Sequence, residues 1–177
     1  MGKEIIIVTI SLGNDGAERI LTELARQWHH DGHKITVIQT SPNRYGTEYA
    51  LPEGIEQIQI HTTSSNKILR FLQEIKALIG ILKERPNATC LSFLSASSFI
   101  LAISSWFVKN RMVFSERNNP RKVPVGKHQQ MLRDFAFRFA DAIVFQTEDA
   151  KSYFSKSIQS RGHIIPNPIN GNLPEPY

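Results

Sequence analysis

The chain has 177 residues, 41% of them hydrophobic and 21% charged, and a net charge of +5 with one cysteine, Cys90. These values fit one globular domain with a real core and exclude a disulfide framework, a low-complexity chain and a repeat array. A single thiol inside an apolar run also points to a reducing compartment.

In chain order, Ile5-Ile6-Ile7-Val8-Thr9 is a short apolar, β-branched run that reads as a strand buried on both faces. Five apolar residues are too few for a signal-peptide core. A polar loop with Gly13, Asn14, Asp15 and Gly16 follows. Ala17, Ile20, Leu21, Leu24, Ala25 and Trp28 then recur at helical spacing. Strand, glycine loop and helix in this order gather backbone N–H groups and the positive end of a helix dipole at one sheet edge. Gly32 occupies the position of a helix C′ glycine, and residues 34–39 form the next strand.

The loop 40–54 is polar and irregular, and Ile55, Ile58 and Ile60 mark a third, shorter strand toward a sheet edge. Residues 66–85 form a long amphipathic helix through Ile68, Leu69, Phe71, Leu72, Ile75, Leu78, Ile79 and Leu82, closed by Pro86. Residues 88–108 carry no charge, which is long enough to suggest a membrane span. Seven of these residues are Ser or Thr, so the stretch reads as a buried strand at 88–94, a serine loop and a buried helix at 98–107.

A fifth strand covers 111–114. A basic loop then leads to a helix at 128–140, with Met131, Leu132, Phe135 and Phe139 expected to face inward and Phe137 outward. Residues 141–145 form a sixth strand, Thr147 is the expected N-cap of a helix running to Phe154, and 163–165 form a last short strand. Residues 170–177 read as linker. Strands alternating with helices imply a Rossmann-like α/β/α sandwich with a mostly parallel sheet of about seven strands. Ligands of such sheets bind outside the carboxyl ends of the strands, which gathers residues 11–16, 94–98, 115–120 and 146–148 into one expected cleft.

Several chemistries fail on spacing. A nicotinamide site wants three glycines as G-x-G-x-x-G and an acidic residue closing the second strand, but only Gly13 and Gly16 are present and that strand ends Gln39-Thr40-Ser41. No G-K-[ST] follows the loop, no G-x-S-x-G elbow occurs, and His29, His30 and His33 straddle a helix end without a metal-ligand spacing. Neither a metal nor another cofactor is therefore expected. Between Glu116 and Arg138, six cations (Arg117, Arg121, Lys122, Lys127, Arg133, Arg138) stand against Glu116 and Asp134, a net +4 of the chain's +5. Such a stretch suits phosphates or an anionic bilayer. Without interleaved aromatics or a known binding module, nucleic acid is not an expected partner.

Gly16-Ala17-Glu18-Arg19, after a strand and small loop, resembles the G-G-A-E-R signature opening family 4 glycosyltransferases of the GT-B fold. Ser115-Glu116-Arg117-Asn118-Asn119-Pro120, then Phe139-Ala140-Asp141-Ala142-Ile143-Val144-Phe145-Gln146-Thr147, and Ile165-Pro166-Asn167-Pro168-Ile169 are similar, in the same order, to members that build bacterial surface polysaccharides. The resemblance implies that residues 1–169 are the N-terminal, acceptor-side domain of a retaining enzyme, with the nucleotide-sugar donor held by a second domain absent from this chain. It implies a glycan or lipid-linked acceptor and a cytoplasmic location, peripheral on the inner face of the plasma membrane. The isolated chain is expected to be inactive. Alternatively, it is a non-catalytic partner subunit of a separately encoded donor domain.

Site roles follow from the resemblance as well. Gly13, Asn14, Asp15 and Gly16 would face the donor phosphates, and Glu18 would fix the helix start. Ser95, Arg117, Asn118, Gln146 and Thr147 would line the acceptor or transferred-sugar side. Arg121, Lys122, Lys127, Arg133 and Arg138 would form a membrane- or phosphate-facing surface. Asp15 stands where the family usually has the first glycine of its pair.

Overall fold

The computed structural model describes residues 2–13, 16–41, 49–93, 95–123 and 126–167. Asn14, Asp15, the loop 42–48 and the linker 170–177 lie outside the described residues. Seven strands, β1 (Glu4–Thr9), β2 (Lys34–Gln39), β3 (Glu56–Gln59), β4 (Thr89–Ser92), β5 (Arg111–Glu116), β6 (Ala142–Phe145) and β7 (Gly162–Ile164), form one sheet in the order β3-β2-β1-β4-β5-β6-β7. Every pairing is parallel, with Ile7 opposite both Val37 and Leu91. The strand order reverses between β1 and β4, which opens a crevice at the carboxyl ends of the strands.

The strands form where apolar β-branched runs let both faces be covered. On one face Ile6, Val8, Ile38, Cys90, Met112, Phe114, Ile143 and Phe145 pack beneath α2 (Lys67–Glu84), α3 (Ser95–Ser104), α4 (Lys127–Phe137), α5 (Glu148–Ser152) and α6 (Lys156–Gln159). On the other, Ile7, Ile35, Val37 and Leu91 meet only α1 (Gly16–His30), through Ile20, Leu21 and Ala25. Local signals start and stop the helices as the sequence suggests. Asn66 caps α2 by accepting the Ile68 and Leu69 amides, and Thr147 caps α5 by accepting from Ala150. Gly32, just past α1, has φ +82°, a conformation in which glycine carries no Cβ penalty. Burial pushes the Cys90 thiol up to about 12, consistent with a small core side chain rather than a nucleophile.

Three expectations need correction. The serine stretch is not a loop: α3 begins at Ser95, and Ser98 inside it is buried with its Oγ 2.6 Å from that of Ser92, which pins helix to strand. Helix α6 follows α5, where the sequence suggested one helix to Phe154 and then a strand.

The third correction is the largest, because α4 is rotated from the expected face. Met131, Leu132 and Phe135 are exposed (68%, 48% and 38%), whereas Arg133, Ala136, Phe137 and Ala140 are buried. Those four also follow i, i+3, i+4, i+7 spacing. Phe137 faces inward because its ring packs on Phe114 and stacks on Phe154, while the small Ala136 and Ala140 sit buried beside it. Phe139 lies partly buried between Trp106 and Phe135. Arg133 therefore does not belong to the cationic surface.

Candidate functional site

Period two along β5 divides the chemistry of its end between the two faces of the sheet. Met112, Phe114 and Glu116 point toward α4. Val113, Ser115 and, continuing the alternation, Arg117 line the opposite side.

Glu116 is 3% exposed. One carboxylate oxygen accepts the Asn118 amide at 3.0 Å, and Oε2 has no hydrogen-bond partner among the described residues. Burial, the largest cause, pushes this carboxyl up to about 7 against the opposing pull of the Asn118 amide and of Arg133. Arg133 Nη1 lies 3.7 Å from Oε2 and donates to the carbonyls of Pro120 (3.0 Å) and Val123 (2.8 Å). Its Nη2 donates to Asp134, and its guanidinium lies over the Tyr153 and Phe154 rings. One side chain thus ties the loop after β5 to α4 and to the end of α5.

The loop so held presents Arg117 and Asn118 to a hollow of about 470 Å³ at the sheet edge. Its other walls are Gly16, Ala17, Arg19 and Ile20 from the start of α1, together with Gln146 after β6 and Asn167 beyond β7. Asn167 Oδ1 accepts from Arg117 and from Gln146, the latter at 3.2 Å. Arg117 is half-buried, its guanidinium 5.3 Å above the Phe93 ring, and burial pushes its pKa down. At the glycine loop, Gly13 packs closely on the carboxylate of α1: a Cβ there would stand 3.0 Å from Glu18 Oε2. Glu18 is buried and accepts from Ser11 Oγ at 3.3 Å, which anchors the first turn of α1 to the loop.

Of the residues the sequence singled out, Gly16, Arg117, Asn118 and Gln146 come together in this hollow, and Gly13 and Glu18 support it from behind. Thr147 does not line it, because its hydroxyl is committed to the α5 cap. Ser95 opens α3 with its side chain outside the described part, while its neighbour Ala96 lines a separate apolar groove with Phe71, Phe99 and Leu132. Arg121, Lys122, Lys127 and Arg138 are exposed, and Arg121 lies 3.5 Å from Asp149. Sequence reasoning missed Arg19 and Asn167 as site residues, although both sit within quoted motifs. It also missed the role of Glu116, for which an acidic residue at a buried strand end was the available signal.

A second hollow of about 420 Å³ runs along the sheet face that α1 leaves open, between Leu24, Trp28, Leu91, Phe93, Val113 and Val144, and Arg117 lines it too.

Comparison with known proteins agrees with this architecture. No curated protein matches the chain. Among solved structures, the Anabaena protein Alr3699/HepE in complex with UDP and glucose superposes with a TM-score of 0.75 at 13% identity, covering 95% of this chain and 45% of that one. The lipopolysaccharide outer core galactosyltransferase WaaB gives 0.72 at 12% identity, covering 94% and 46%. Sucrose-phosphate synthase from Thermosynechococcus elongatus gives 0.71 at 7%, covering 93% and 48%. At these identities the likeness establishes the Rossmann-like fold, and the chain spans less than half the length of each of these neighbours. The sequence model of glycosyltransferase family 4 matches residues 14–172, nearly the whole chain, and the protein belongs to that family.

Proposed function

We propose that this chain is the N-terminal, acceptor-side half of a retaining glycosyltransferase that moves a hexosyl or N-acetylhexosaminyl group from a nucleotide sugar to a bacterial surface glycan. The observation that carries the reading is the hollow at the carboxyl ends of β5 and β6, where Arg117, Asn118 and Gln146 face the first turn of α1 in a family 4 chain. HepE was solved with UDP and with UDP-glucose, and WaaB is a lipopolysaccharide galactosyltransferase, which supports a nucleotide-sugar donor and a glycan acceptor here. The donor is held by the other half of the enzyme. In the closed cleft, amide side chains orient the acceptor hydroxyl while backbone N–H groups at the start of α1 oppose the charge that develops on the leaving diphosphate. Neither metal nor cofactor is invoked.

Location at a bilayer belongs to the same proposal. Ile68, Leu69 and Leu72 at the start of α2 are 54–70% exposed, as are Met131, Leu132 and Phe135 on α4 to the degree given above. The segments 64–73 and 117–132 that carry or adjoin these residues hold six Lys and Arg and no Asp or Glu. Apolar side chains beside a local excess of cations suit the headgroup region of an anionic leaflet.

The test is sugar transfer from UDP-sugars by the full-length enzyme and by the 177-residue chain. Turnover by the full-length protein, lost on Asn118→Ala and absent from the chain alone, is expected. Robust turnover by the chain alone contradicts the half-enzyme reading, and none by the full-length protein with any nucleotide sugar contradicts the transferase.

A further inference from the structure

Among the described residues, Arg117 is a cation with no carboxylate within 4.0 Å. Arg26, Arg70, Arg85, Arg121 and Arg133 each lie within 4.0 Å of a carboxylate, although Arg26, Arg70 and Arg121 are exposed and Arg117 is half-buried. Arg117 lies near none of the described carboxylates. Its Nε is buried with no hydrogen-bond partner among the described residues, and the acceptor its Nη2 meets is the neutral amide oxygen of Asn167. Two acids on the elements that wall the hollow are engaged elsewhere: Glu116 points through the sheet toward Arg133, and Glu18 accepts from Ser11. A partly desolvated guanidinium is costly unless an anion joins it. Across the hollow stands a second guanidinium, Arg19, on the first turn of α1. The remaining polar side chains among the described walls are the amides of Asn118, Gln146 and Asn167.

We infer that the hollow between Arg117 and Arg19 binds a phosphate group carried by the acceptor. The inference rests on the transferase reading for the word acceptor, since that reading assigns the donor to the other half of the enzyme. The geometry suits the chemistry. Guanidinium forks match phosphate oxygens two at a time, and two arginines with no acid among the described walls favour a dianion over a neutral sugar. A volume of about 470 Å³ admits a sugar phosphate. The three amides are left to hydrogen-bond the hydroxyl groups around it. Arg117 and Arg19 then select acceptors by charge before any hydroxyl is positioned for attack.

The experiment titrates the 177-residue chain with inorganic phosphate, glucose 1-phosphate, glucose, glucuronate and UDP, followed by calorimetry and by amide and arginine Nε NMR signals. Saturable binding of phosphate and glucose 1-phosphate is expected, with glucose and glucuronate weaker by about tenfold or more. The Arg117 Nε signal should shift, and Arg117→Gln and Arg19→Gln should each weaken glucose 1-phosphate about tenfold, while Lys127→Gln changes nothing. Arg19 is exposed, so its variant keeps the test decisive if Arg117→Gln fails to fold.

An equal loss on Lys127→Gln shows diffuse attraction and overturns the site. Tight UDP binding without glucose 1-phosphate binding makes the hollow a donor subsite and overturns it as well. In the full-length enzyme, equal transfer to a phosphorylated acceptor and its dephosphorylated counterpart overturns this inference alone and leaves the transferase standing.

Discussion

Glu116 shows how one residue's position in a strand decides its chemistry. Placed one residue earlier or later, its carboxyl would project from the other face of the sheet, toward the Arg117 side, and would neutralise that cation. Placed where it is, it enters the core, and burial holds its proton up to about pH 7 instead of the usual 4.5. The sign follows from proton counting. Between those two values the folded chain keeps a proton that the unfolded chain has released, so stability is fully present below about pH 4.5 and falls as pH rises through 7. The slope approaches about 1.4 kcal/mol per pH unit in mid-window. Glu116→Gln should flatten this part of the profile in urea unfolding between those pH values. A wild-type slope retained in the variant contradicts the assignment.

At the scale of the element, α4 gives the sharpest contrast. Phe137→Ala removes a ring packed between Phe114 and Phe154 and should cost about 3–5 kcal/mol. Leu132→Ser, on the face expected from sequence to be core, should change stability by no more than about 0.5 kcal/mol. Thermal and chemical unfolding of the two variants checks the pair, and a reversal of their order restores the sequence-based orientation.

The error has a physical cause. Residues 131, 132, 135 and 139 and residues 133, 136, 137 and 140 both follow a helical period, and the second set contains an arginine that hydropathy alone sends to the surface. Only the tertiary partners of Arg133, a buried carboxylate and two loop carbonyls, make it a core residue. The strands were legible for the opposite reason. Runs such as Ile5-Ile6-Ile7-Val8 have one stable fate in a sheet covered on both faces, and the cap Thr147 is a local device that needs no distant partner. Arg19 shows a limit of a different kind: it stands inside the Gly-Ala-Glu-Arg motif, yet a motif does not say which of its side chains faces the hollow.

For the whole molecule, the distribution of apolar and cationic surface becomes a statement about location. The chain should sediment with vesicles containing phosphatidylglycerol and remain free of phosphatidylcholine vesicles. Salt should weaken binding, and Leu72→Ser together with Met131→Ser should reduce what salt leaves. Equal binding to both lipids removes the electrostatic part of the proposal, and a double variant that binds like the wild type removes the apolar part. Among the described residues no helix is long and apolar enough to cross a membrane.

The groove behind the sheet shares a wall with the hollow at its edge. Phe93 and Arg117 line the first, Arg117 also lines the second, and the guanidinium rests on the Phe93 ring. The ring is held by the core, and it sets the plane on which the cation lies. Were a partner to cover the back and a ligand to sit at the front, both would touch Arg117, and any effect of one on the other would be reciprocal: a covering that strengthens the grip would itself be strengthened, by the same factor, when the ligand is bound. No strand has to move for the two sides to communicate. The shared side chain is enough.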